Sequence, residues 1–235
     1  MQVCIIPARG GSKRIPRKNI KDFCGKPIIA YSIETALKSK CFDHIIVSTD
    51  DFEIAEVAQK FGAEVPFMRP AELADDYTPT LDVINHALTW LGKNKQMPDF
   101  TCILYATSPF IQSDVIKNAF TQLKNDATKH FCFGVTQFPF PIQRAIKINP
   151  TGCIEMFQPE HFNTRSQDLE KAYHDAGQFY WGNSEAFLRR ERMFSDLAVP
   201  YILPSYQVQD IDELDDWIKA EAMFHVLNTD GIATK

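Results

Sequence analysis

No Cys-x-x-Cys pair occurs among the six cysteines of this 235-residue chain. Cys4, Cys24, Cys41, Cys102, Cys132 and Cys153 are scattered, several of them inside apolar runs. That spacing offers neither a zinc site nor a disulfide frame, so the cysteines read as reduced core residues of a cytoplasmic protein. No apolar run reaches membrane-spanning length, and no basic segment leads into a long apolar one, so no membrane partner is expected. An excess of positive charge is also missing: the formal net charge is −5, which speaks against a nucleic-acid partner. Two familiar phosphate loops are absent as well. The dinucleotide fingerprint Gly-x-Gly-x-x-Gly fails because the glycine after Gly10-Gly11 is Gly25, and Gly25-Lys26 runs into Pro27 where a P-loop needs Ser or Thr.

What remains is an ordinary globular composition, 45% apolar and 23% charged, long enough for one large α/β domain. Its organising stretch is Ile5 to Pro27. The apolar run Val3 to Ile6 predicts a buried strand that stops at Pro7, and Gly10-Gly11 allow a turn or a close approach to a ligand. Arg9, Lys13, Arg14, Arg17, Lys18, Lys21 and Lys26 then stand against the single acid Asp22, seven bases less one acid or +6, so the rest of the chain sums to −11. A cationic, glycine-turned loop after the first strand of an α/β protein is where a phosphate-bearing ligand is expected.

The loop PARGGSKRIPRKN, followed by GKPIIAYSI, resembles the signature of the CMP-sialic acid synthetase family, and the likeness extends over nearly the whole chain. Those enzymes are cytidylyltransferases that activate acidic 2-keto sugars. The resemblance implies a Rossmann-like α/β nucleotidyltransferase fold with a mostly parallel mixed sheet, one domain over 1–235. It implies CTP, an acidic nine-carbon 2-keto sugar of the pseudaminic acid type, with sialic acid, legionaminic acid or Kdo as the alternative sugars, and Mg²⁺ as cofactor. It also implies a homodimer formed through an insertion at 138–182 that reaches toward the neighbour's site.

Taken in order, Ile28 to Lys38 has the apolar spacing of an amphipathic helix, His44 to Thr49 that of a strand, Phe52 to Phe61 that of a helix and Glu64 to Met68 that of a strand. The alternation predicts a largely parallel sheet with helices on both faces and ligands at the carboxyl ends of its strands. Arg69 to Thr80 is rich in turn formers and acids and leads to a helix over Leu81 to Leu91, with Thr80 as its cap. By resemblance this segment, with Thr78 and Thr80, borders the nucleotide base. Thr101 to Tyr105 reads as a buried strand, and Asp114 to Leu123 as a helix capped by Ser113. That leaves Thr107 and Ser108 free, matching the family's sugar-binding turn, and Tyr105 stands where the sialic acid enzymes usually carry glutamine.

After a strand from His130 to Gln137, Phe138-Pro-Phe-Pro cannot continue a central strand. Ala145 to Ile148 and Cys153 to Phe157 flank Asn149-Pro-Thr-Gly152 and predict a hairpin with one unpartnered apolar face. Arg165 suits a sugar carboxylate, with Gln167 beside it by resemblance; a surface ion pair with Asp168 or Glu170 accounts for the same arginine. His174 and Asp175 have no nucleophile motif beside them and read as structural or substrate-orienting.

Gln207 to Asp212 reads as a strand entering a helix at about Leu214 to Leu227. If it is extended, Asp210 and Asp212 share one side while Ile211 faces the core, and two hard oxygen ligands suit Mg²⁺. Capping by Asp212, with Asp215 completing the first turn, explains Asp212 but does not require Asp210. By resemblance Arg9, Lys13 and Lys18 hold the phosphates within a loop of Ala8, Gly10, Gly11, Ser12 and Asn19, and Asp210 and Asp212 hold the metal. The same resemblance implies that Arg9, Lys18 and Asp212 carry the chemistry. A non-catalytic nucleotide sensor would keep the basic loop without needing the two aspartates.

Overall fold

The computed structural model describes residues 1–229; positions 230–235 of the single domain expected over 1–235 lie outside them. The strands are β1 (Gln2–Pro7), β2 (Asp22–Phe23), β3 (Lys26–Pro27), β4 (His44–Ser48), β5 (Phe100–Leu104), β6 (Phe131–Gln137), β7 (Ile146–Ile148), β8 (Ile154–Met156), β9 (Tyr173–Asn183) and β10 (Ala198–Ile202). The helices are α1 (Ile28–Ser39), α2 (Phe52–Lys60), α3 (Thr80–Asn94), α4 (Ser113–Lys124), α5 (Ser184–Leu188) and α6 (Leu214–Thr229).

Six strands form the central sheet in the order β10-β6-β9-β5-β1-β4. β4, β1 and β5 run parallel, as does the β10–β6 pair, whereas β9 is antiparallel to both β5 and β6. The apolar strands bury both faces, as two-sided coverage requires. Cys4, Ile6, Cys102 and Trp181 meet Ile29, Ile33, Ile54 and Ile116 from α1, α2 and α4, and Val3, Ile5, Ile103 and Tyr180 meet Ile84, Leu88, Leu91 and Phe187 from α3 and α5.

Several expectations change. Glu64 to Met68 is no strand: Pro66 cannot donate to a ladder, and a single bridge joins Glu64 to Ile46. Thr80 is the first residue of α3, not its cap; Pro79 precedes it and no side chain caps the helix. Ser113 likewise opens α4 instead of capping it, after Gln112. Of the segment 138–182, residues 138–172 leave the sheet between the paired ends of β6 and β9, and Tyr173–Asn183 returns as a central strand. Cys4, Cys102 and Cys132 are buried core residues as expected, while Cys153 is exposed. No helix among the described residues is long and apolar enough to cross a membrane.

A third apolar cluster joins the two chain ends. Phe23 lies edge-on to Trp217, Phe224 and Phe110, with ring centroids 5.4, 5.4 and 6.5 Å away. Fully buried, Phe23 is worth about 3–5 kcal/mol against alanine. The cluster fixes α6 against the β2–β3 hairpin, which brings residues 210–212 to face the basic loop.

Candidate active site

A cleft of about 350 Å³ opens at the carboxyl ends of β1 and β5, within the size range of small-molecule sites. Arg9, Ser12, Lys13, Lys18 and Asn19 line it, joined by Thr78, Thr80, Tyr105, Thr107, Asp210 and Asp212. Residues far apart in sequence thus meet in one place, at the sheet end where open α/β sheets bind ligands.

The basic loop is braced from beneath. The Ala8 amide donates to the Ser48 carbonyl at 3.0 Å, and Asn19 Nδ2 donates to the Arg9 carbonyl at 2.9 Å. Ala8, Gly10 and Gly11, expected in the nucleotide loop, are not among the residues that line the cleft. Gly10 is required for a reason the sequence hid: its amide donates to Asp50 Oδ1 at 3.0 Å, and a Cβ there would sit 2.9 Å from the Cβ of Asp51. Asp51 caps α2 by accepting from the Ile54 amide at 3.0 Å, and it pairs with Arg17, which adopts φ 58°. Arg17 holds the Asp51 carboxyl below the usual carboxylate range.

Lys18 ties the two ends of the chain. Its Nζ donates to the Ile211 carbonyl at 2.6 Å and lies 3.3 Å from Asp212 Oδ1, while Arg14 Nη2 sits 2.8 Å from Asp212 Oδ2. Residues 207–212 form no strand, yet Ile211 is buried in the aromatic cluster while Asp210 and Asp212 both line the cleft. Capping of α6 does not fall to Asp212. Asp216 Oδ2 accepts from the amides of Asp212 and Glu213 at 3.2 and 2.9 Å, which leaves the Asp212 carboxylate free to face Arg14 and Lys18. Partial burial, with the Asp212 charge adding to it, pushes the Asp210 carboxyl up.

The opposite wall holds the remaining expected residues. Thr78 Oγ1 is engaged with Asp75 Oδ1 at 2.7 Å, and Thr80 Oγ1 lies 3.5 Å from the Tyr105 hydroxyl. Tyr105 packs tilted on Tyr180, whose hydroxyl donates to Asp175 Oδ2 at 2.7 Å. Ser108 is buried under the turn, its hydroxyl directed at the Gln178 carbonyl at 3.4 Å, and of the Thr-Ser pair only Thr107 reaches the cleft.

Arg165 and Gln167 do not reach it. They sit on the projecting segment, where Arg165 Nε pairs with Asp168 Oδ2 at 2.6 Å, the surface ion pair already weighed against a substrate contact. Two cations that sequence reasoning left unassigned do line the cleft, Arg14 and Arg69. Arg69 is buried, donates to the Ser48 hydroxyl at 3.2 Å, and is pushed down to about 10 by that burial. A guanidinium buried at a cleft wall without an ion pair among the described residues was the signal, and it needs the structure to be seen.

The sequence matches the family model described as Cytidylyltransferase over residues 3–211. The chain belongs to the cytidylyltransferase family. Membership makes it a nucleotidyltransferase. It is 47% identical over 224 residues to a pseudaminic acid cytidylyltransferase of Campylobacter jejuni, covering 95% of this chain and 96% of that one. It is 33% identical to a CMP-N,N'-diacetyllegionaminic acid synthase of Legionella pneumophila, over 95% and 96%. Among solved structures, a CMP:2-keto-3-deoxy-manno-octonic acid synthetase complexed with CTP superposes with a TM-score of 0.68 at 16% identity, covering 96% of this chain and 98% of that one, a likeness of fold.

Proposed function

We propose that this cytidylyltransferase joins CTP to pseudaminic acid, giving CMP-pseudaminic acid and pyrophosphate. The observation that carries the chemistry is the cleft itself, where Arg9, Lys13, Arg14 and Lys18 converge with Asp210 and Asp212 beside the buried Arg69. The choice of sugar is supported by the near-full-length identity to the Campylobacter enzyme.

In this reading Arg9 and Lys13 hold the outer phosphates, and Lys18, tied to the Ile211 carbonyl beside Asp212, lies nearest the α-phosphorus. Arg69, Thr78 and Thr80 border the base. The sugar's anomeric hydroxyl attacks the α-phosphorus in line with the departing pyrophosphate, and fixed cations stabilise the charge that develops there. The Asp210 and Asp212 carboxylates form a hard-oxygen donor pair whose charges already bear on one another, a set suited to Mg²⁺. Bound there, the ion would supply charge neutralisation and a lowered pKa for a nearby hydroxyl. Tyr105 offers the sugar a flat apolar wall with one hydroxyl at its end, which suits the acylamino and methyl groups of pseudaminic acid better than a hydroxyl-rich tail.

The same reading includes a homodimer through the β7–β8 hairpin, with Arg165 and Gln167 presented to the neighbouring subunit's sugar. Exposed Phe140, Ile148, Ile154 and Phe157 support it, because so much open apolar surface favours burial against a second copy. A reducing cytoplasmic setting also belongs to it, supported by the six free thiols. The deciding experiment measures pyrophosphate release with each of four nucleoside triphosphates against pseudaminic, legionaminic and sialic acids and Kdo. CTP with pseudaminic acid should give the highest kcat/KM; a preference for another sugar sinks the sugar assignment, and a preference for another nucleotide sinks the base assignment.

A further inference from the structure

The cleft sets its own anions against its own cations. Five cationic residues line it, Arg9, Lys13, Arg14, Lys18 and Arg69, and so do four aspartates, Asp75, Asp76, Asp210 and Asp212. The two neighbours in the 69–80 loop divide sharply. Asp75 is consumed by its own turn, its Oδ1 accepting from the amides of Tyr77 and Thr78 at 3.0 and 2.6 Å. Asp76 instead lies across the mouth of the cleft. Its Oδ1 is 2.6 Å from Arg9 Nη1, and its Oδ2 pairs with Lys13 Nζ. Arg9 reaches the same loop a second time, donating from Nη1 to the Asp75 carbonyl at 2.8 Å. The Lys13 side chain is 80% exposed, so an ion pair, not packing, sets where its ammonium sits.

A carboxylate and a phosphate oxygen ask these donors for the same bonds, and one ammonium and one guanidinium edge cannot fully serve both. We propose that Asp76 is a built-in competitor of the triphosphate, a positioning residue that holds Arg9 and Lys13 ready in the empty cleft and yields them to the outer phosphates of CTP. The proposal rests on the reading of the cleft as a CTP site. Holding the cations near their working positions lowers the ordering needed on binding, and releasing them costs part of the binding energy. Run in reverse, the same exchange returns Arg9 and Lys13 to Asp76 and so favours departure of pyrophosphate.

The test is calorimetric titration of the full chain, without added metal, with CTP, inorganic pyrophosphate and cytidine. Asp76→Asn should tighten CTP and pyrophosphate about threefold to tenfold, the scale of two partly exposed ion pairs, and leave cytidine within about twofold. Asp76→Glu keeps the charge and should keep the wild-type affinities. Unchanged or weaker binding of both phosphate ligands by Asp76→Asn overturns the proposal. An equal change for cytidine also overturns it, since that marks an altered loop shape, and so does a Glu variant that behaves as the Asn one. Failure of the CTP reading shows separately, as a wild-type chain that binds pyrophosphate but not CTP; pyrophosphate alone then still decides the role of Asp76.

Discussion

Residues 9–19 and residues 138–172 both leave the central sheet, and they are stabilised in opposite ways. In the first, the cations meet internal partners: Arg14 and Lys18 meet Asp212, Arg17 meets Asp51, and Arg9 and Lys13 meet Asp76. In the second, the hairpin turn is satisfied while its side-chain faces are not. Asn149 Oδ1 organises the hairpin turn by accepting from the amides of Thr151 and Cys153 at 3.1 and 2.9 Å, and Gly152 takes the required φ of 82°. Yet Ile148 and Ile154, which pair across the strands, are 78% and 72% exposed. The loop's charges are paired within the chain, whereas the hairpin's apolar face is left open to solvent in it.

Removing charge from the loop's far anchor breaks the comparison most severely. Asp212→Asn keeps the shape of the side chain, and Asp216 still covers the amides before α6. Folding stability should therefore change little while kcat falls on the order of a hundredfold or more, the scale of losing one well-placed charged group in a polar active site. Steady-state rates alongside a thermal melt check it. Near-normal rates would leave Asp212 a purely structural partner of Arg14 and Lys18.

The hairpin should fail in assembly before it fails in folding. Ile148→Asp with Ile154→Asp places two charges on a face that is already solvent-exposed in one chain, so the melting temperature of the isolated subunit should hardly move. The dissociation constant of the proposed dimer should rise about tenfold or more, because charge is inserted where the proposal puts apolar contact. Sedimentation across micromolar concentrations reads the shift. A wild-type chain that stays monomeric and fully active in that range ends the case for Arg165 acting across subunits.

These two regions also show what sequence alone carries. The strand–helix alternation to residue 60, the basic loop, the hairpin and the inward face of Ile211 were legible, because each follows from apolar period or turn chemistry. β9 was not. Its Tyr-His-Asp-Ala-Gly-Gln-Phe-Tyr-Trp-Gly-Asn has no clean alternation, since the strand is buried on both faces and paired on both edges. β10 hid behind Pro200, which an edge strand tolerates. At the site, Arg14 and Asp76 were written in the sequence as two charges among many. Their partners are fixed only when α6 and the 69–80 loop close on the first strand.

The smallest expected effect concerns how the loop is held at its other end. Arg17 sits in the left-handed region at φ 58°, a conformation that a non-glycine residue keeps only when its surroundings insist, and Asp51 and Glu53 supply that insistence. The Arg17 hydrogen bond lowers the Asp51 carboxyl below its ordinary value, opposed by burial and aided by the Ile54 amide. A carboxyl lowered in the folded state gives stability that is present above its unfolded value of about 3.9 and is lost as the pH falls through the folded one. Asp51→Asn keeps a residue able to cap α2 and removes only the charge. The variant should be less stable than the wild type by up to about 1 kcal/mol at pH 7, as befits a pair that solvent still reaches. As the pH falls below about 3.9 and on through the lowered folded value, the gap should narrow, because the wild-type carboxyl is protonated in its turn. Denaturant midpoints for both chains over a series of falling pH give the comparison. A gap that keeps the same size down the whole series would assign the loss to altered capping geometry at α2 and leave the Arg17 charge without a measurable part in holding the loop.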